Sequence, residues 1–160
     1  MGSSRLSTSS AFLTTLLVVL ALTVGKAFVS MPGLWEASAH QVRELRLVPL
    51  ETFRTYLVWW GPWLNLAGNV ALFVPVGFVA YRGSVAKAAA AGAFLSLGIE
   101  VAQYVFALGY SDLDDLLFNS VGAFVGAWLA SISKSSWMLW GLTALNAVVL
   151  TAYLGLGLRP

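Results

Sequence analysis

Five long apolar runs constrain this chain more than any other feature of its sequence. They cover residues 11–30, 62–81, 86–108, 113–132 and 137–157. A helix needs roughly 20 mostly apolar residues to span the hydrocarbon core of a bilayer. Apolar residues make up 59% of the 160-residue chain and charged residues only 10%, whereas soluble proteins average about 45–50% and about 25%. The pattern predicts an all-α, polytopic membrane bundle of about five transmembrane helices, forming a single domain over residues 1–160.

The first apolar run follows a short, small and polar segment that contains Arg5. A cleaved signal peptide has the same order of segments. The run is long for the apolar part of a signal peptide, and no small-x-small cleavage pattern closes it before Met31. We therefore expect an uncleaved first helix, with a signal peptide as the alternative.

The one long connection, over residues 32–61, carries most of the charge. Its last stretch repeats apolar side chains at i, i+3, i+4 and i+7, namely Phe53, Tyr56, Leu57 and Trp60. This spacing predicts an amphipathic helix lying in the membrane interface. Trp59, Trp60 and Trp63 then form an aromatic cluster where the chain re-enters the lipid, which is typical of an interfacial anchor.

The short breaks between helices indicate an orientation. Arg82, Lys87 and Lys134 flank the breaks after the second and fourth helices, whereas the break after the third leads into aspartates. Positively charged loops tend to remain in the cytoplasm. We therefore expect a cytoplasmic N-terminus and an extracytoplasmic long connection, although Arg43, Arg46 and Arg54 in that connection oppose this assignment.

Composition narrows the range of functions. The chain has no cysteine, which excludes disulfides, thiolate metal sites and a cysteine nucleophile. The basic residues are scattered singly, so we expect no nucleic-acid partner. Carboxylates and amides suit an oxygen-ligand cation site. However, the aspartates near residue 112 are wrongly spaced for an EF-hand loop, and neither a metal nor a cofactor is predicted.

Polar residues of the second, third and fourth helices converge on one membrane face. Because successive helices are antiparallel, the second and fourth begin where the third ends. Ionisable and amide groups within membrane helices usually face the bundle interior. The candidate pocket residues are Asn65, Asn69, Glu100, Gln103, Asp112, Asp114, Asp115 and Asn119. The first and fifth helices, with Lys26 and Asn146 as isolated polar residues, are expected to serve packing.

Several interpretations of these residues stay open. Asparagine and glutamine often act as hydrogen-bonding glue between helices, and Gly122-x-x-x-Gly126 favours close helix approach. Asp112 has the position of an N-cap. Glu100 is the residue least needed for helix packing, because a carboxylate inside a membrane helix is costly. With Asp115 it could act as an acid and base pair. Alternatively, the polar face could hold a lipid head group, with arginines as phosphate contacts: Arg43, Arg46 or Arg54.

Three stretches carry a resemblance to VanZ-like membrane proteins. Residues 69–77 (NVALFVPVG), 96–103 (SLGIEVAQ) and 112–122 (DLDDLLFNSVG) resemble the family's G-N-x-x-x-F-x-P-x-G, S-x-x-I-E-x-x-Q and D-x-D-D-x-x-x-N-x-x-G motifs. Residues 47–52 are a weaker echo of its N-L-I-P-F segment. The resemblance covers about residues 45–131, the VanZ-like core. Arg46 stands where the family often has Asn, and residues 108–111 lack the Arg that many members carry there.

The resemblance implies a bacterial multi-pass protein of the cell (plasma) membrane, acting at the cell envelope. The family is named for a protein that gives resistance to teicoplanin-type glycopeptide antibiotics. Our first hypothesis, which joins this resemblance to the polar face, is a protein that binds a lipid or lipid-linked cell-wall precursor in an extracytoplasmic polar pocket, with the bilayer as the other partner. An intramembrane enzyme acting on a lipid-linked substrate and a small carrier are the alternatives. Oligomeric state stays open.

Overall fold

The predicted membrane bundle is confirmed by the computed structural model, which describes residues 2–55 and 58–157. The helices are α1 (Gly2–Leu22), α2 (Thr52–Thr55), α3 (Gly61–Ala80), α4 (Val85–Phe106), α5 (Leu113–Ser133) and α6 (Ser136–Gly157). Within the described residues, five of them are long and apolar enough to cross a membrane, with mean hydropathies of 1.5 to 1.6. The chain is a multi-pass membrane protein.

The first helix lies closer to the N-terminus than the apolar run indicates. It begins at Gly2 and ends at Leu22, and hydroxyl side chains within it bond back to the helix's own carbonyl groups. Thr14 Oγ1 donates to Ser10 O over 2.9 Å. Asn146 of α6 donates to the Thr15 hydroxyl over 2.9 Å, so this polar contact joins α1 to α6. Asn146 therefore packs helices together, as expected.

The central three helices pack closely because small residues line their contacts. Gly122 and Gly126 of α5 lie against the backbone of α3, where an added Cβ would overlap the carbonyl oxygens of Val70 and Val74. Gly77 of α3 lies against the carbonyl of Ala123 in the same way. This backbone-to-backbone approach is what small residues permit in membrane helices.

The long connection covers one end of the bundle and contains a short strand. Its strand β1 (Arg43–Arg46) pairs in parallel with β2 (Gly109–Asp112), with Arg43 opposite Gly109 and Arg46 opposite Asp112. Arg43 also donates to the carbonyls of Tyr104 and Val105 over 3.0 and 2.8 Å. Those carbonyls belong to the last turn of α4, where carbonyl groups have no N–H partner within the helix. The connection is therefore fixed to the ends of α4 and α5.

Helix α2 lies within the segment for which an interfacial helix was predicted. In the described residues it comprises Thr52–Thr55, and Tyr56 and Leu57 lie outside the described residues. The Phe53 ring meets Trp63 edge to face, with centroids 4.9 Å apart. Trp59, Trp60 and Trp63 are all exposed, as expected for aromatic side chains at a membrane interface.

The basic breaks meet at the opposite end of the bundle. Lys134 Nζ donates to the Tyr81 carbonyl over 2.8 Å, and Arg82 donates to the Val79 and Tyr81 carbonyls. Burial lowers the pKa of Lys134 to about 8, and the nearby Arg82 charge contributes to the same shift. Basic residues and the polar end of α3, α4 and α5 therefore occupy opposite faces.

Single cysteines would test which face is cytoplasmic. The chain has no cysteine of its own, and Ala39 and Ser136 are exposed at opposite ends. If the basic end is cytoplasmic, a membrane-impermeant maleimide should label Ala39→Cys in intact cells. It should label Ser136→Cys only after the membrane is permeabilised. The reverse pattern would invert the predicted orientation and place the N-terminus outside.

Candidate ligand pocket

The polar ends of α3, α4 and α5 enclose a cavity of about 250 Å³. All eight predicted polar residues except Asp114 line it. The end of α1 with the segment after it, the long connection and strand β2 complete the wall. Their residues were not predicted as pocket residues: Leu22, Thr23, Lys26, His40, Gly109 and Tyr110. The convergence expected from antiparallel helices thus forms a physical cavity.

Asp115 is held in this cavity by two amides of α3. Asn65 and Asn69 lie one turn apart on α3, and each donates its Nδ2 hydrogen to Oδ1 of Asp115; the Asn65 bond measures 3.1 Å. Residues four apart share one helix face, which explains why both amides reach the same oxygen. Neither bond uses Oδ2, so among the described residues this second oxygen has no donor and can accept from a ligand.

Glu100 and Asp112 form the opposite wall. Glu100 Oε2 accepts from the Asp112 backbone N–H over 2.7 Å, and Asp112 Oδ1 accepts from the Asp114 N–H over 2.8 Å. Asp112 is therefore the N-cap of α5, as its position suggested. Burial raises the pKa of the Asp112 carboxyl, and the neighbouring carboxylates of Asp115 and Asp114 raise it further.

Two buried amide oxygens in the cavity wall have no hydrogen-bond partner among the described residues. These are Oε1 of Gln103 and Oδ1 of Asn119. Asn119 is only 2% exposed, and its Nδ2 is already engaged with the Ser96 hydroxyl at 2.9 Å. A buried acceptor left unpaired costs about 1–3 kcal/mol. The cavity wall therefore holds two acceptor groups that the described residues leave unpaired.

Three basic side chains complete the lining: Lys26, His40 and Arg46. The Arg46 guanidinium carbon lies 3.9 Å from the Tyr110 ring centre, and its Nε pairs with Glu44 at 2.7 Å. Lys26 Nζ lies 5.5 Å from the Trp35 ring centre. Burial lowers the pKa of Lys26, and the Asp115 carboxylate opposes this shift. The cavity thus combines acceptor groups with cations that could hold an anion.

Asp114 and two of the candidate arginines lie elsewhere. Both carboxylate oxygens of Asp114 accept from the Leu50 N–H at 2.9 Å, so Asp114 anchors the long connection. Arg43 caps α4, and Arg54 lies exposed in α2. Of the three candidate arginines, only Arg46 lines the cavity.

The expectation that the first helix serves only packing needs correction. Thr23 and Lys26, just beyond its end, line the cavity. Lys26 is the one charged residue in the apolar run 11–30, and an ionisable group in such a run usually marks a functional region. That signal could have found Lys26. His40 lies in a turn of the long connection, where no periodicity indicates its position.

Metal ligation has no evident donor set in the described ranges. No three His, Cys, Asp or Glu side chains are grouped there in a way that could hold a metal ion. The groups that the cavity does offer are carboxylates, amides and cations, which act through hydrogen bonds and ion pairs.

Comparison with known proteins agrees with the motifs and with the membrane fold. Over 79 residues the chain is 35% identical to Protein VanZ of Enterococcus faecium, covering 46% of this chain and 48% of the relative. The chain thus spans about half the length of the curated relative that it matches. No solved structure matches it. The sequence model of the VanZ/LLP1 family matches residues 12–134, which is most of the chain, so this protein belongs to the VanZ/LLP1 family.

Proposed function

We propose that this protein binds the polar head of a membrane lipid or lipid-linked cell-wall precursor in the cavity at the extracytoplasmic end of α3, α4 and α5. The observation that carries the proposal is the cavity at the ends of three membrane helices, whose wall includes the polar side chains of Gln103, Asp115 and Asn119. Polar groups inside a membrane bundle are costly and usually functional. Lipid head groups are the polar molecules present at this depth.

The chemistry of the lining supports a particular type of head group. Amide and carboxylate oxygens accept hydrogen bonds, so they suit hydroxyl or ammonium groups of a ligand. Lys26 and Arg46 line the same cavity, and cations of this kind bind phosphate through charge-assisted hydrogen bonds. A phosphate-linked head that also carries hydroxyl or amino groups would satisfy both parts of the wall.

Cavity size supports a head group over a larger ligand. The cavity of about 250 Å³ lies below the roughly 300–1,000 Å³ of pockets that enclose drug-sized molecules. A whole glycopeptide antibiotic would therefore not fit. If the teicoplanin-type resistance linked to the family by resemblance extends to this chain, it would act through the envelope precursor and not through capture of the drug.

Packing beneath the cavity favours binding over transport. Phe73, Val76 and Ala123, with Val19 and Ile99, form a buried apolar cluster below the polar residues of the same helices. Phe73 and Ala123 are 0% exposed. A carrier would need an opening toward the other face, and this cluster fills the position that such an opening would take.

An intramembrane enzyme is the second candidate function. Glu100 and Asp115 line one cavity, and two carboxylates in one site can act as acid and base. Release of product from a lipid-linked substrate by the purified protein, lost in Glu100→Gln, would favour the enzyme. Saturable binding without turnover would favour the binding protein.

A thermal-shift assay on detergent-solubilised protein tests the binding proposal. The probes are phosphatidylethanolamine, phosphatidylglycerol and undecaprenyl phosphate. A ligand at about 100 times its Kd stabilises by about 2.7 kcal/mol, which raises the unfolding temperature of a chain this long by roughly 5–10 °C. We expect this rise with at least one probe, and we expect Asp115→Asn to lose it. Asparagine keeps an oxygen for Asn65 and Asn69, so the fold should persist without the charge.

Glu36→Gln is the matched control. It removes one carboxylate from the exposed part of the long connection, and Glu36 does not line the cavity. The control should show the wild-type rise with every probe. If Asp115→Asn responds to the lipids as the wild type does, or if no probe shifts the wild type, the head-group proposal is wrong.

A further inference from the structure

A second cavity adjoins the polar pocket on the side of α1 and α3. It is a groove of about 420 Å³ that shares four lining residues with the pocket: Leu22, Lys26, Asn65 and Asn69. Its other lining residues are mostly apolar, and Trp60, Leu64 and Gly68 are exposed. The polar pocket therefore continues into an apolar groove that faces the bilayer.

The groove has the length of one lipid chain. Its α3 wall runs from Gly61 to Leu72, and at about 1.5 Å per residue this wall extends roughly 16 Å along the helix. The hydrocarbon core of a bilayer is about 30 Å thick, so one leaflet is about half of that. Trp35 and Trp60 line the groove. Trp60 directly precedes α3, at the end of the groove nearest the membrane interface.

We propose that this groove holds a hydrocarbon chain of the lipid whose head occupies the polar pocket, so that the lipid enters sideways from the bilayer between α1 and α3. The inference rests on the proposed function, because it takes the ligand of the pocket to be a lipid. It adds the ligand class: an amphiphile with a phosphate between its head and its long chain. A soluble precursor without a chain would leave the groove empty.

Charge at the junction of the two cavities supports this assignment. Lys26 lines both cavities, at the point where the phosphate of such a lipid would lie between head and chain. A second apolar cleft, of about 220 Å³, adjoins the pocket on the α4 side, but it meets the pocket at Glu100 and Asp112. Carboxylates there would repel a phosphate, so the α1–α3 groove is the favoured position of the chain.

Photo-crosslinking with a tail-labelled lipid tests the proposal. The protein is reconstituted in vesicles of phosphatidylethanolamine and phosphatidylglycerol that contain phosphatidylglycerol with a diazirine on one acyl chain, and labelled peptides are mapped. We expect labelling concentrated on residues 61–72. Gly68→Leu fills the groove and excludes about two methylene groups, so labelling there should fall roughly tenfold.

Gly141→Leu is the matched control. A Cβ at Gly68 or at Gly141 meets nothing within 4 Å, both positions are exposed within helices, and Gly141 lines neither cavity. Leucine is a better helix former than glycine, so both variants should fold. The control should be labelled like the wild type.

The outcomes separate this inference from the proposed function. The groove assignment is overturned if Gly68→Leu and the wild type are labelled alike, or if the label maps to the cleft near Leu97 and Tyr104. In that case, a loss of the lipid-induced thermal shift in Asp115→Asn would still support the head-group site. Conversely, groove labelling that depends on Gly68, without any effect of Asp115→Asn on lipid binding, would support the groove and contradict the head-group site.

Discussion

Replacing Gly126 with leucine should prevent the bundle from folding. Even a Cβ at this position would overlap the Val74 carbonyl oxygen and lie 2.9 Å from the Phe78 nitrogen. Overpacking usually costs about 1–3 kcal/mol, occasionally more, and here the obstructing atoms are backbone that cannot rotate away. Helices α3 and α5 would have to separate, which would also move Asn69 away from Asp115. We expect little or no monodisperse protein after detergent extraction.

The Gly141→Leu variant again provides the control, because its α6 position has free space. It should give wild-type yield and an unchanged unfolding temperature. Size-exclusion chromatography and tryptophan fluorescence during heating measure both properties. A Gly126→Leu protein that is monodisperse and unfolds at the wild-type temperature would mean that α3 and α5 do not approach as closely as described.

Replacing Asp114 with alanine should destabilise the protein far more than Asp115→Asn, although the two residues are adjacent. Asp114 accepts from the Leu50 N–H with both carboxylate oxygens and lies in the first turn of α5. A hydrogen bond to a charged group contributes about 1.5–3 kcal/mol, and an acidic residue at a helix N-terminus adds about 0.3–1 kcal/mol. The unfolding temperature should therefore fall by roughly 5–10 °C.

The backbone at Leu50 offers an independent check on that prediction. Leu50 has a φ of 58°, a conformation that costs a non-glycine residue roughly 1–3 kcal/mol and persists only when its surroundings hold it. Leu50→Gly adopts this φ without strain. We expect Leu50→Gly to unfold at or above the wild-type temperature, because relief of strain offsets the entropic cost of glycine, whereas Asp114→Ala should unfold below it. Equal unfolding temperatures for Asp114→Ala and the wild type would show that this anchor contributes little.

Much of the fold follows from local patterns in the sequence. Apolar runs of sufficient length specify the membrane helices, and antiparallel connection brings their polar ends together. Asp114 was predicted as a pocket residue and does not line the pocket, although the spacing of its helix could have separated it. Asp115, Asn119, Gly122 and Gly126 recur at i, i+4, i+7 and i+11 on one helix face, and Asp114 lies off that stripe.

The rest depends on long-range contacts that no local period records. Strand β1 reads Arg-Glu-Leu-Arg, which has no apolar alternation, and it forms only because β2 and the last turn of α4 supply its partners. The positions of Lys26 and His40 likewise depend on how the connection crosses the end of the bundle. The first helix ends at Leu22, although the apolar run continues to residue 30. This early end places Lys26 beside the pocket.

Native mass spectrometry can show whether the protein holds a lipid with its head among Asp115, Asn119 and Gln103. Protein is released from nanodiscs of bacterial lipid extract, and the lipids that remain bound to each chain are identified. We predict one retained phosphate-containing lipid for the wild type and for Glu36→Gln, and its loss from Asp115→Asn. Retention of the same lipid by Asp115→Asn, or only a mixture that mirrors the bulk extract in every variant, would mean that this cavity does not select a lipid head group.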